Sequence, residues 1–123
     1  MQNFVYHNEN PSNKRISDCV TRAIKLASGL PYEEIRRKLF HTSRLLNCES
    51  SLCPTCYSFL IQEVLGGVMK DCHGLRVGDF ARLNPKGTYL IRIQGHLTCL
   101  IDGKIYDTWD CLDRMCDIVW KVA

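Results

Sequence analysis

Hydrophobic positions recur at helical spacing along the first half of the chain and alternate along the second. In "ISDCVTRAIKLASG", Val20, Ala23, Ile24 and Ala27 share one helical face, with Ser17 or Asp18 as N-cap and Gly29 as the stop. Pro31 opens "PYEEIRRKLFHTSRLL", acidic in its first turn, with Ile35, Leu39 and Leu46 on the apolar face. Pro54 starts "PTCYSFLIQEVLGG", whose Tyr57, Leu60, Ile61, Val64 and Leu65 face the core until Gly66 ends it. "VGDFARLN" predicts a short helical turn before Pro85. The period then changes to two. "GTYLIRI", "HLTCLI" and "KIYDTW" are strands separated by Gln94-Gly95 and Asp102-Gly103, and "DIVWKV" is the last. Helices first and antiparallel strands after predict a single α+β domain over residues 1–123.

Composition narrows the class. A chain of 123 residues with 46% hydrophobic content suits one modest core. The net charge of +3 is too small to point to nucleic acid, and Lys14-Arg15 and Arg36-Arg37 read as solvated surface. No apolar run approaches the roughly 18 residues of a membrane helix, so no membrane partner is expected. The opening "MQNFVYHNEN" has no apolar signal-peptide core, so a cytoplasmic location is expected. In a reducing compartment the eight cysteines point to metal, catalysis or burial rather than disulfides.

The hairpin "GHLTCLIDGKIYDTWD" carries candidate chemistry. Asp102-Gly103 is a two-residue turn signal that sets Ile101 opposite Lys104. Thr98 then faces Asp107, and His96 faces Trp109, so these four residues share one side of the sheet. Asp107 becomes the diagonal neighbour of His96, at a Cα spacing of about 7–8 Å that side chains bridge. Cys99 and Asp110 fall on the other side. A carboxylate on one imidazole nitrogen fixes the tautomer and supports the imidazolium, leaving the other nitrogen to act as base. The same pair also suits an exposed histidine beside an acid.

Cys19 is the candidate nucleophile. It stands in the first turn of an amphipathic helix, where unpaired N–H groups and the helix dipole favour a thiolate. The alternative is a small buried apolar residue. Arg22, at i+4 from Asp18, reads as a helix-surface ion pair. Trp109 reads as a core residue by its large apolar area, or as a substrate platform on the face of His96.

"SDCVTRAI" followed by "GHLTCLIDGKIYDTWD" resembles the papain-like cysteine peptidases, in which the nucleophile opens a helix and His and Asp or Asn follow on a sheet. It is similar in particular to small bacterial and phage-borne proteins with "DC-x-x-RAI" early and "GH…DG-x-x-YDTWD" late. These in turn resemble the peptidase domains of bacteriocin exporters, where an Asp-Cys pair also starts the helix. The resemblance covers the first helix and residues 79–122, and leaves 41–75 unmatched. It implies a papain-like α+β fold, N-terminal helices on a C-terminal antiparallel sheet, with a Cys19-His96-Asp107 triad. Papain-like enzymes carry an amide side chain six residues before the nucleophile to bind the oxyanion, and Asn13 holds that position here. Asn8 and Asn10 are alternatives, and the Cys19 backbone N–H would be the second donor.

"NCESSLCPTCYSF" and "DCHG" form a second constellation. Cys48, Cys53, Cys56 and Cys72, or His73, offer four zinc ligands, although one C-x-x-C without a spaced second half is a weak zinc signature. "CPTC" before a helix also suits a redox dithiol of depressed pKa, and packing is a third reading. Cys111 and Cys116 read as packing residues. The expected function is thiol hydrolysis of an amide in a protein or peptide substrate, by peptidase, isopeptidase or deamidase action. The expected cofactor is none, save a structural zinc. A non-catalytic binding module, zinc-stapled through the middle cysteines, is the alternative.

Overall fold

The computed structural model describes residues 3–123; Met1 and Gln2, where the segment read for a leader begins, lie outside the described residues. The first element is a strand, β1 (Phe4–Tyr6). Three helices follow: α1 (Cys19–Ser28), α2 (Tyr32–Leu45) and α3 (Pro54–Phe59), the last widening into a π-helical turn at Leu60–Val64. Then come β2 (Val68–Lys70), α4 (Val77–Leu83), β3 (Thr88–Ile93), β4 (His96–Ile101), β5 (Lys104–Asp107) and β6 (Ile118–Lys121). They form one six-stranded sheet, ordered β1-β5-β4-β3-β6-β2.

The protein is thus α+β, but the sheet is mixed rather than purely antiparallel. β1 pairs in parallel with β5, Phe4 opposite Ile105, and extends the hairpin at one edge. The exposed β2 closes the other edge against β6. Neither strand was visible in the sequence pattern, because three residues are too few to display a period.

Alternation along β3, β4 and β6 places apolar side chains on both faces, as a doubly covered sheet requires. Leu90, Leu97, Cys99 and Trp120 pack under Val20, Ala23 and Ile24 of α1 and Ile35 and Leu39 of α2. Ile91, Ile93, Leu100 and Val119 face the opposite way, against Val77, Phe80 and Ala81 of α4. Fully burying such aliphatic side chains stabilises the fold by about 1.5–3 kcal/mol each. The π turn changes one expectation. Leu60 and Ile61 are buried, but the widened turn carries Val64 into solvent.

α1 lies across β4, which brings the start of the helix beside the start of the strand. The helix ends where Gly29 takes φ 74° and its N–H caps the Lys25 carbonyl. The β4–β5 turn has Asp102 at φ 48° and Gly103 at φ 80°, the primed geometry that its sequence calls for. Among the described residues no helix is long and apolar enough to cross a membrane.

Candidate active site

Cys19 is the first residue of α1, and Asp18 is its N-cap by position. The first backbone bond of the helix runs from Arg22 N–H to Asp18 C=O at 3.0 Å. The N–H groups of Cys19, Val20 and Thr21 therefore point out of the helix start without a backbone acceptor within it. The Asp18 carboxylate does not cap them. Its Oδ2 accepts from Tyr32 Oη at 2.7 Å and Asn10 Nδ2 at 2.9 Å, and its Oδ1 from Arg22 Nε at 2.6 Å. Burial disfavours this carboxylate, yet the three donors outweigh burial and hold its pKa below the usual range. The reading of Asp18–Arg22 as a surface pair is corrected here, since both residues are buried.

The hairpin has the register expected from its turn, Ile101 opposite Lys104 and Leu100 opposite Ile105. His96 Nε2 and Asp107 Oδ2 are 2.6 Å apart. The other carboxylate oxygen, Oδ1, accepts from the Thr108 backbone N–H at 2.7 Å and from Arg22 Nη1 at 3.2 Å. The Thr98 hydroxyl is buried near the same carboxylate without a well-aligned hydrogen bond. Asp110 is exposed, and among the described residues its carboxylate accepts only from the Leu112 N–H. Trp109 is not a core residue. It is 38% exposed, its ring meets His96 edge-on at 5.0 Å, and Arg114 lies over its face.

The Cys19 thiol lies within hydrogen-bonding reach of the His96 ring and of the Leu97 backbone N–H. With Nε2 engaged by Asp107, Nδ1 is the nitrogen left for sulfur. Burial works against the Cys19 thiolate, but the His96 bond, the Leu97 N–H and the charges of His96 and Arg22 prevail, and the pKa falls. Burial likewise opposes a charged His96. Asp107 and Cys19 overcome it and push the imidazole up to about 9. Asp107 is held below the usual carboxylate range, despite burial, chiefly by its bond to His96. The three groups thus favour a thiolate–imidazolium pair with a carboxylate behind it.

A cleft of about 450 Å³ opens over Cys19 and His96, walled by Ile16, Ser17, Leu52, Tyr57, Arg92 and Gly95. Asn13 is not among its lining residues. It sits exposed in a turn at φ 55°, its N–H bonded to the Asn10 carbonyl. Asn8 Nδ2 donates to the Lys14 carbonyl, and Asn10 is committed to Asp18. The loop winds about Asn10, and this carries all three amides away from the oxyanion role expected of them. The backbone N–H groups at the helix start are the donors that face the cleft end of α1.

Sequence reasoning missed Arg22 and Tyr32 as parts of this centre, and it gave Asn10 an oxyanion role where the structure has it bonded to Asp18. Arg22 joins the helix start to the hairpin by bonding Asp18 and Asp107 together. An i,i+4 Asp-Arg pair in sequence has no mark of a third, distant partner.

Cys48, Cys53 and Cys56 gather at the start of α3, but Cys72 does not join them. Cys48, Cys53 and Cys56 belong to the core layer under α1 and α2, whereas Cys72 packs on the other face of the sheet. His73 is exposed beyond it. The expected Cys48, Cys53, Cys56 and Cys72 zinc set is therefore corrected, because the sheet separates its members; among the described residues no three metal-ligating side chains converge. Cys56 donates to the Leu39 carbonyl at 3.1 Å, and burial pushes its thiol up to about 11, against the depressed pKa expected of a redox dithiol. Cys111 is buried and Cys116 half-buried, both pushed up to about 12 by burial. No protein-family profile matches the chain, and neither the curated proteins nor the solved structures contain a match.

Proposed function

We propose that the protein is a papain-like thiol hydrolase that cleaves an amide bond in a protein or peptide substrate, with Cys19 as nucleophile. The observation that carries this reading is the Cys19–His96–Asp107 arrangement, a lowered thiol pKa beside a raised imidazole pKa at the mouth of a cleft. The resemblance of "SDCVTRAI" and the hairpin to papain-like peptidases supports the same reading.

In this reading the Cys19 thiolate attacks the carbonyl carbon and forms the C–S bond. The N–H groups at the start of α1 stabilise the developing oxyanion. His96 delivers its proton to the leaving nitrogen as the C–N bond breaks, which gives an amine and a thioester. His96, now neutral, takes a proton from water, whose oxygen displaces sulfur and restores the thiolate–imidazolium pair. Asp107 keeps Nε2 occupied throughout. A side-chain amide in the cleft would lose ammonia by the same steps, so deamidation is the same chemistry on another substrate.

The test is incubation with a peptide library, reading new amino termini by mass spectrometry and ammonia by a coupled assay. New termini mark a peptidase, and ammonia without them marks a deamidase. Both signals should vanish in Cys19→Ala. Neither signal from the wild-type protein, on any peptide, would favour the non-catalytic binding module.

A further inference from the structure

A second groove, of about 840 Å³, runs from the cleft towards α2 and shares Ile16, Ser17 and Leu52 with it. One wall is the loop from Asn10 to Lys14, held in shape by the buried Asn10 side chain. Its Oδ1 accepts from Ser12 N–H at 2.9 Å and Lys14 N–H at 3.3 Å, while its Nδ2 anchors the loop to Asp18. The other wall is the face of α2 that carries Glu33, Arg36, Arg37 and Phe40.

Charge and apolar surface are interleaved there. Arg36 pairs with Glu33 at 3.2 Å, and Asp18 is already matched by Arg22. Lys14 and Arg37 have no carboxylate partner among the described residues. The groove therefore keeps two uncancelled positive charges. Between them Ile16 and Phe40 are more than half exposed, and Leu52 is 39% exposed. Exposed apolar side chains gathered in a charged groove mark a contact surface.

Resting on the proposed function, we infer that this groove binds an acidic, leucine-type stretch of a polypeptide substrate, on one side of the bond held at Cys19. Lys14 and Arg37 would meet its carboxylates, and Ile16, Phe40 and Leu52 its apolar side chains. The exposed Ile16, Phe40 and Leu52 match the apolar side chains of a polypeptide, which a phosphate backbone does not offer. Continuity through Ile16, Ser17 and Leu52 lets one extended chain occupy both grooves.

The probe is a fluorescein-labelled peptide, Asp-Leu-Glu-Asp-Leu-Gly, with Lys-Leu-Lys-Lys-Leu-Gly and a six-nucleotide single-stranded DNA as comparisons. Binding is read by anisotropy on Cys19→Ser protein, so that turnover does not consume the peptide. The acidic peptide should bind about tenfold more tightly than the basic one, with an affinity that falls as salt rises. Lys14→Glu with Arg37→Glu should abolish or reverse that preference; both side chains are exposed, so the circular dichroism should be unchanged. Equal binding of the two peptides, absence of binding, or tighter binding of the DNA would overturn the inference. Iodoacetamide labelling of Cys19, which is small and neutral and does not need the groove, separates the two claims. Labelling that is fast with no acidic preference sinks the groove alone. An acidic preference with an inert Cys19 sinks the catalytic reading and leaves the groove as a binding site.

Discussion

Two thiol neighbourhoods in this protein start from the same residue type and end in opposite chemistry. Cys19 opens a ten-residue helix and meets an imidazole, a guanidinium and a backbone N–H, and its pKa falls. Cys48, Cys53 and Cys56 surround the start of a six-residue helix and meet one another and apolar side chains. Bonding to Cys53 raises the Cys48 thiol, and burial raises Cys56. A helix N-terminus alone does not make a reactive thiolate. The imidazolium supplied from the hairpin makes the difference, and Asp107, itself bonded to Arg22, holds it in place.

The largest effect expected is on Arg22, because its charge is shared by two buried carboxylates. Arg22→Met keeps the volume but leaves the buried Asp18 without a counter-charge and Asp107 with His96 alone, which should cost about 3–5 kcal/mol in urea denaturation. A loss below about 1 kcal/mol would mean that the bridge adds little to the join between helix and hairpin.

Next comes the contrast between thiols. At mildly acidic pH, iodoacetamide should label Cys19 on the order of a hundredfold faster than Cys56, whose thiol is pushed up to about 11. Peptide-resolved mass spectrometry reads the rates. Uniform labelling, or labelling led by Cys53, would erase the comparison.

Asp107→Asn should slow Cys19 alkylation about tenfold, well under the roughly 10⁴ that the corresponding change costs a serine triad in turnover. Asparagine keeps a contact to His96 Nε2 but no longer supports the imidazolium. Asp110→Asn should change the rate less than about twofold, since that carboxylate only turns back to Leu112. The reverse outcome would mean that Asp110, not Asp107, supports His96 in solution.

The smallest effect is a pH slope. His96 has its pKa raised from 6.5 to about 9, so its contribution to stability is complete below 6.5 and is lost as pH rises through 9. The lowered thiol of Cys19 contributes in the opposite sense, gaining as pH rises towards 9. Wherever Cys19 is a thiolate in the folded chain and a thiol in the unfolded one, its slope opposes that of His96. Cys19→Ser removes the opposing slope. Its melting temperature should fall by a few degrees from pH 6.5 upwards, more steeply than that of the wild type.

Much of this could be read from the residues. Asp102-Gly103 determines the β4–β5 register by local turn geometry, and that register alone distinguishes Asp107 from Asp110 as the neighbour of His96. Helical spacing located α1 and α2 because long amphipathic segments repeat their pattern. What escaped depends on contacts distant in sequence. β1 has three residues and pairs with a strand about a hundred positions later. Arg22 reaches Asp107 across 85 positions, and only that contact turns an ordinary i,i+4 pair into a buried bridge. Asn13 was placed by counting back from Cys19, but the loop coils around Asn10 and turns position 13 to solvent. Cys72 follows the middle cysteines in the chain but is divided from them by the sheet.

The central claim is that Cys19 and His96 form a thiolate–imidazolium pair. Thiolate absorbance against pH, taken as the difference between wild type and Cys19→Ser, measures it directly. The wild type should show one thiolate already formed well below pH 9. In His96→Ala the same inflection should move up to 9 or beyond, because burial remains while its largest compensating partner is gone. An inflection that stays in place when His96 is removed would contradict the pair.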